Sequence, residues 1–128
     1  MSSVRKEVVV NAPVAEVWDA LRDLGALHER LVPGFVVDTK LDDDESARLV
    51  TFGNGAVVRE RIVAVDDADH RVAWSADSEY FTHHNASAQV FALSADTTRF
   101  VWIADVLPDE AAPFVAGMMD EGLAALAF

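Results

Sequence analysis

The 128-residue sequence contains no cysteine. That excludes disulfides, thiolate catalysis and zinc–thiolate sites together, and fits a cytosolic setting. No apolar run reaches the roughly 20 residues that a spanning helix needs. Met1 to Lys6 lead into a polar-interrupted strand rather than a signal-peptide apolar core, so no membrane insertion is expected. Basic residues are few: 10 against 22 acidic, for a formal net charge of −12. Nucleic acid and anionic membranes are therefore poor partners. A Gly-rich phosphate loop is also missing, because Gly53-Asn54-Gly55 lies between two strand patterns and opens no helix. No serine stands in a nucleophile motif. His83 and His84 are adjacent, which is a poor spacing for a shared metal, and no metal or cofactor is expected. Repeats, linkers and low-complexity segments are absent.

What is present is a 52% hydrophobic chain, long enough for one domain over residues 1–128 with a real core. The last twenty residues, Asp109 to Phe128, read as one long helix. Its apolar stripe runs through Phe114, Val115, Met118, Met119, Gly122, Leu123, Leu126 and Ala127. Asp109, Glu110 and Pro113 suit its first turn. Upstream, Val4 to Val10 read as a strand. Asn11-Ala12-Pro13 offers a cap for a helix carrying Val14, Val17, Trp18 and Leu21 on one face. A second short helix covers about Ala26 to Leu31.

From Phe35 the period changes to two. Strands are expected at Phe35–Leu41, Ala47–Phe52, Val57–Val65, Arg71–Ala76, Ala86–Leu93 and Arg99–Val106. Acidic or glycine-rich turns separate most of them, and Asp77 to Asn85 is the longest irregular stretch. The expected architecture is α+β: a seven-stranded curved antiparallel sheet wrapped around the long C-terminal helix. The two short helices sit between strands 1 and 2 and plug one end.

Alternation assigns the faces. Phe100, Trp102 and Ala104 should point at the helix, as should Trp74 with Val72 and Ala76. In the fourth strand Val58, Glu60, Ile62 and Ala64 oppose a face with two arginines, which places Glu60 inward. An inward carboxylate costs several kcal/mol unless it is paired, hydrated or protonated. On this pattern two readings stand, a filled core beneath a terminal helix or a cavity with room for a ligand.

The opening Val8-Val9-Val10-Asn11-Ala12-Pro13-Val14-Ala15-Glu16-Val17-Trp18, the strand Gly55 to Asp67, and Trp102 ahead of a long terminal helix resemble the START-like helix-grip superfamily (birch-pollen-allergen fold, or SRPBCC). Within it, the chain is similar to the small bacterial polyketide cyclase/dehydrase and lipid-transport family. Glu60 occupies the place of a pocket-facing glutamate found in plant hormone receptors of this superfamily. Thr51 to Ala56 sits where they carry a gate loop, and Tyr80 to Asn85 near their latch loop. The gate and latch sequences themselves are not reproduced. The resemblance implies a large, mostly apolar cavity between sheet and helix.

Three functions follow as expectations. The first is a binding module for a small apolar or amphipathic molecule. Trp74, Trp102, Phe114, Met118 and Met119 would form its wall, and Glu60 with Tyr80, Asn85 or Gln89 its polar contacts. The second is a polyketide cyclase/dehydratase-like enzyme using Glu60 and His83 or His84, assisted by Tyr80 and Arg48. The third is a partner-binding scaffold like the co-chaperone relatives of the superfamily. An exposed sheet edge would allow homodimerisation.

Overall fold

The structure is a computed structural model and describes residues 1–128. Its elements are β1 (Ser2–Val10), α1 (Val14–Arg22), a π-helical turn (Leu27–Leu31), and strands β2 (Val36–Leu41), β3 (Ala47–Phe52), β4 (Val57–Asp66), β5 (Arg71–Asp77), β6 (His83–Ala92) and β7 (Thr98–Leu107). A 3-10 turn (Asp109–Ala111) then leads into α2 (Ala112–Ala124). The seven strands form one antiparallel sheet in the order β1-β7-β6-β5-β4-β3-β2. From β2 to β7 each strand pairs with the next in the chain, as short turns dictate. β1 instead pairs with β7, from Ser2 opposite Val106 to Val10 opposite Thr98. The buried Thr98 hydroxyl donates to Ala12 O at 2.7 Å and pins the chain where it leaves β1.

The sheet curves around α2, whose buried residues Val115, Met119 and Gly122 face it. Lys6 of β1 and Asp120 of α2 join at 3.2 Å across the rim. At the other end, α1 buries Val17, Trp18, Ala20 and Leu21, and the π-helical turn buries Leu27 and Leu31. The acidic turn after β4 is more than a solvated bend. Asp67 accepts from Trp18 Nε1 at 3.1 Å and from Arg22 Nε at 2.8 Å, tying α1 to the sheet.

Four details differ from the sequence expectation. The terminal helix is shorter, because the chain opens with a 3-10 turn and closes at Ala124. Beyond it, Ala127 N donates to Leu31 O at 3.0 Å, a bond no continuing helix would make. β6 starts at His83, three residues early, because β7 continues to Leu107 and supplies the pairing partners. Asn11 does not cap α1; Pro13 O accepts from Glu16 N and Val17 N instead. Lastly, a bulge between Ile62 and Ala64 shifts the alternation in β4: Val63 is exposed as expected, but Val65, expected on the same outer face, packs on the core.

The β3–β4 hairpin sits close to the segment leading into β2. Gly53 N donates to Phe35 O at 2.9 Å, and a Cβ at Gly53 would fall 2.5 Å from Gly34 O. Glycine is what allows this approach, and it places Phe35 and Phe52 edge to face at 5.4 Å.

Candidate functional site

Between the inner sheet face and α2 lies a cavity of about 110 Å³. Val115, Met118, Met119, Gly122 and Leu123 of α2, with Leu126 beyond its end, form one wall. Val50, Phe52, Val58, Trp74, Ala88, Phe100 and Trp102 form the sheet side. Leu21, Leu27, Leu31 and Val32 close one end, with Phe35 and Phe81 at the margins. The aromatic rings make a partial cage: Trp74 to Trp102 and Phe35 to Trp102 are each 6.5 Å between centroids. Gly122 sets the gap between helix and sheet. A Cβ there would lie 2.6 Å from Trp102 Cζ3 and 3.1 Å from Phe35 Cε2.

The charged or titratable side chains on this lining are Arg48, Glu60 and His84. Arg48 and Glu60 stand directly opposite each other on β3 and β4. Arg48 Nε donates to Glu60 Oε1 at 2.9 Å, with both side chains at or below 9% exposure. A second guanidinium nitrogen of Arg48 donates to Leu24 O at 3.2 Å, just past the end of α1. The guanidinium also lies 5.5 Å from the Trp74 ring centroid. The inward carboxylate is thus compensated by a buried ion pair.

Two other polar atoms on lining residues are not compensated. Trp102 Nε1 and His84 Nδ1 are buried without a hydrogen-bond partner. Such atoms are rare in native structures, and each calls for an explanation. Burial disfavours the imidazolium of His84 and holds its pKa below the usual histidine value, and the neighbouring His83 adds to that. Its ring packs against Phe81 at 5.2 Å. No group of three or more His, Cys, Asp or Glu side chains is placed to hold a metal ion.

Residues 1–127 match the family described as polyketide cyclase/dehydrase and lipid transport. The chain belongs to this family. Several solved structures share its fold. The protein XoxI from Bacillus cereus is 20% identical with a TM-score of 0.86, over 98% of this chain and 92% of that one. A START superfamily protein from Mycobacterium smegmatis is 19% identical with a TM-score of 0.73, over 95% and 91%. The Zhui aromatase/cyclase from Streptomyces sp. R1128 is 20% identical with a TM-score of 0.74, over 97% and 87%. No curated protein matches the chain. At these identities the neighbours establish the fold alone, and no helix of this family member is long and apolar enough to cross a membrane.

The structure brings Glu60, Arg48, His84, Trp74, Trp102, Met118 and Met119 of this family member to one cavity. It places five expected residues elsewhere. His83, Asn85 and Gln89 alternate with the inward His84, Ala86 and Ala88 on β6 and so stand on the outer face. Gln89 Nε2 there donates to Asp69 O at 3.0 Å. Tyr80 is 68% exposed in the turn before β6, where its neighbour Phe81 takes the cavity position. Phe114 is 58% exposed in the first turn of α2, one step round from the inward Val115. The sequence reading passed over Phe35, Phe52 and Phe81, although Phe52 shares the parity of Val50 and an aromatic next to a hairpin turn was there to be read.

His84 makes a pH prediction. With a folded pKa below about 6.5, the unfolded chain takes up this proton first as pH falls. Stability therefore drops below that pH, until the folded histidine also protonates. The His84→Phe variant should lose less stability than the wild type between about pH 7 and 5 in urea titrations, since the unfolded-state proton uptake is removed. Parallel curves for the two proteins would show that burial of His84 is not linked to folding.

Proposed function

We propose that residues 1–128 form one domain that binds a small hydrophobic or amphipathic molecule between the sheet and α2. The observation that supports this most directly is an apolar cavity lined by two side chains with buried, unpartnered polar atoms, Trp102 Nε1 and His84 Nδ1. A ligand oxygen is one partner that would satisfy such atoms. The family description, which names both polyketide cyclases and lipid transport, fits the same reading. Trp74, Trp102, Met118 and Met119 supply the wall, and the Arg48–Glu60 pair a fixed polar edge. Native mass spectrometry of protein from its own host should show a co-purifying molecule. A saturating ligand at about 100 times its Kd should add roughly 2.7 kcal/mol of stability, on the order of 10 °C in Tm at this size. An empty protein that no apolar compound stabilises would end this reading.

One observation favours a second reading, a cyclase- or dehydratase-like reaction. His84 lines the cavity with its pKa held below the usual value, so at neutral pH it is the free base, and Glu60 stands on the same lining. Single-turnover assays with polyketide-like thioesters test it. Turnover should fall about 100-fold or more in His84→Phe while binding persists. Product formation undiminished by that change would leave binding as the function.

A further inference from the structure

The outer face of the sheet carries an arrangement that the inner cavity does not use. Seven of the ten basic residues lie within 3.3 Å of a carboxylate oxygen. Lys40, Arg71 and Arg99 are the other three. With 22 acidic side chains in the chain, a missing partner is a matter of placement, not of supply. Arg71 stands opposite Asp66 on β4, but Asp66 Oδ1 accepts from Ala68 N and Asp69 N of its own turn, each at 3.0 Å. Arg99 lies over the Phe91 ring at 4.8 Å. Its Nε is buried without a partner, and the Glu7 carboxylate is 3.9 Å from Nη1, beyond hydrogen-bond reach.

These two arginines line one hollow of about 380 Å³. Arg71 is opposite Gln89 on one side of β6, and Arg99 is opposite Phe91 on the other. At about 4.8 Å between strands and about 3.4 Å per residue, their Cα atoms are roughly 12 Å apart, a gap that two arginine side chains close from opposite sides. Between them Val101 points outward yet is only 6% exposed, so the side chains round it stand up as walls. Asn85, Ser87 and Gln89 of β6 supply neutral hydrogen-bonding groups, and Arg5, held by Glu7 at 2.9 Å, closes the β1 side. Asp105 stands at the far end, bonded to Ser3. Two unbonded guanidinium groups suit two negative charges on one small group. Each offers a planar fork of donors that matches phosphate oxygens. The net charge of −12 repels extended polyanions, but salt screens charges more than about 8 Å away from a small ligand. We infer that this hollow is a second binding site, independent of the inner cavity, for a small phosphate-type dianion held between Arg71 and Arg99 above Ser87 and Gln89.

The test is a 1H–15N titration of the full chain at constant ionic strength with inorganic phosphate, glycerol 3-phosphate and acetate. The amides of Arg71, Ser87, Gln89 and Arg99 should shift together and saturate with either phosphate compound. Both should bind about tenfold or more tighter than acetate, which carries one charge and two oxygens. Glycerol phosphate binding the tighter of the two sustains the assignment and names an organic monoester as the ligand. Equal binding sustains it and names the free oxyanion. Arg71→Gln and Arg99→Gln should each weaken phosphate binding about tenfold or more, with melting curves close to wild type because neither side chain bonds within the protein. Lys40→Gln removes the third unpaired cation, on β2 at the opposite sheet edge from β1, and should change nothing. Shifts that never saturate, acetate binding as tightly as phosphate, or a loss in Lys40→Gln equal to that in Arg71→Gln would each overturn the assignment. None of these results would touch the binding reading of the inner cavity.

Discussion

Replacing Arg48 with methionine should cost about 3–5 kcal/mol, lowering Tm by on the order of 10–20 °C. The change removes the only hydrogen-bonding partner the structure gives to a buried carboxylate, since Glu60 Oε1 accepts from Arg48 Nε and both side chains are almost fully buried. It also strips Leu24 O of its donor at the end of α1. The size of the loss comes from leaving one charge uncompensated, not from the net worth of the pair. Removing both charges should therefore recover most of it. The double variant Arg48→Met/Glu60→Leu is expected within about 1–2 kcal/mol of wild type or above it, as found when buried ion pairs are replaced by apolar groups of similar volume. Urea unfolding of the two single variants and the double variant closes the cycle. Additive losses would mean that the two side chains do not depend on one another, contrary to their geometry.

Gly122→Ala should separate folding from ligand affinity. The new methyl would stand 2.6 Å from Trp102 Cζ3 and 3.1 Å from both Trp102 Cη2 and Phe35 Cε2. These are ring atoms held in a cage, not ends of flexible chains, so the indole must move. Overpacking of this kind costs about 1–3 kcal/mol, and replacing glycine within a helix returns about 1 kcal/mol. The net effect on stability should be small, a Tm change of a few degrees. Affinity should suffer far more. The displaced indole takes up part of a cavity of about 110 Å³, and a methylene-sized misfit in an apolar pocket costs roughly 10–200-fold. Calorimetry with any ligand that stabilises the wild type reads the second quantity, and a melting curve the first. A variant that binds as tightly as wild type would show that Gly122 does not set the width of the site.

Much of this was legible in the residues. Alternation placed Trp102, Trp74 and Glu60 inward, and their burial or cavity lining agrees. The Gly53-Asn54-Gly55 turn also carried the register. A hairpin centred on Asn54 sets position 48 opposite position 60, and Arg48 is found there. The counter-charge of Glu60 could therefore have been found by counting. What failed did so for physical reasons. His83, His84 and Asn85 carry no apolar alternation, so nothing in them reveals a strand whose existence depends on β7 reaching Leu107. The β4 bulge is a single added residue without a glycine or proline to mark it. The end of α2 depends on a tertiary bond, Ala127 N to Leu31 O, that no local pattern encodes. Cavity volume depends on how rings interlock, and a residue pattern holds no record of that.

The pairing of β1 with β7 bears on how the chain is made as well as on how it rests. Strands β2 to β7 can zip up one after another as they emerge, but β1 has a single neighbour, and that neighbour is the last strand in the chain. At roughly 5–20 residues per second, the first strand waits on the order of five to twenty seconds for its partner. During that wait it is an unpaired apolar ribbon, with Val4, Val8, Val9 and Val10 free to join a neighbouring nascent chain. Arg5-Lys6-Glu7 break the ribbon in its middle with three consecutive charges. In the finished molecule they make only rim contacts, to one another, to Asp120 and to Arg99. Their larger service falls before folding, when a charged strand is a poor template for aggregation.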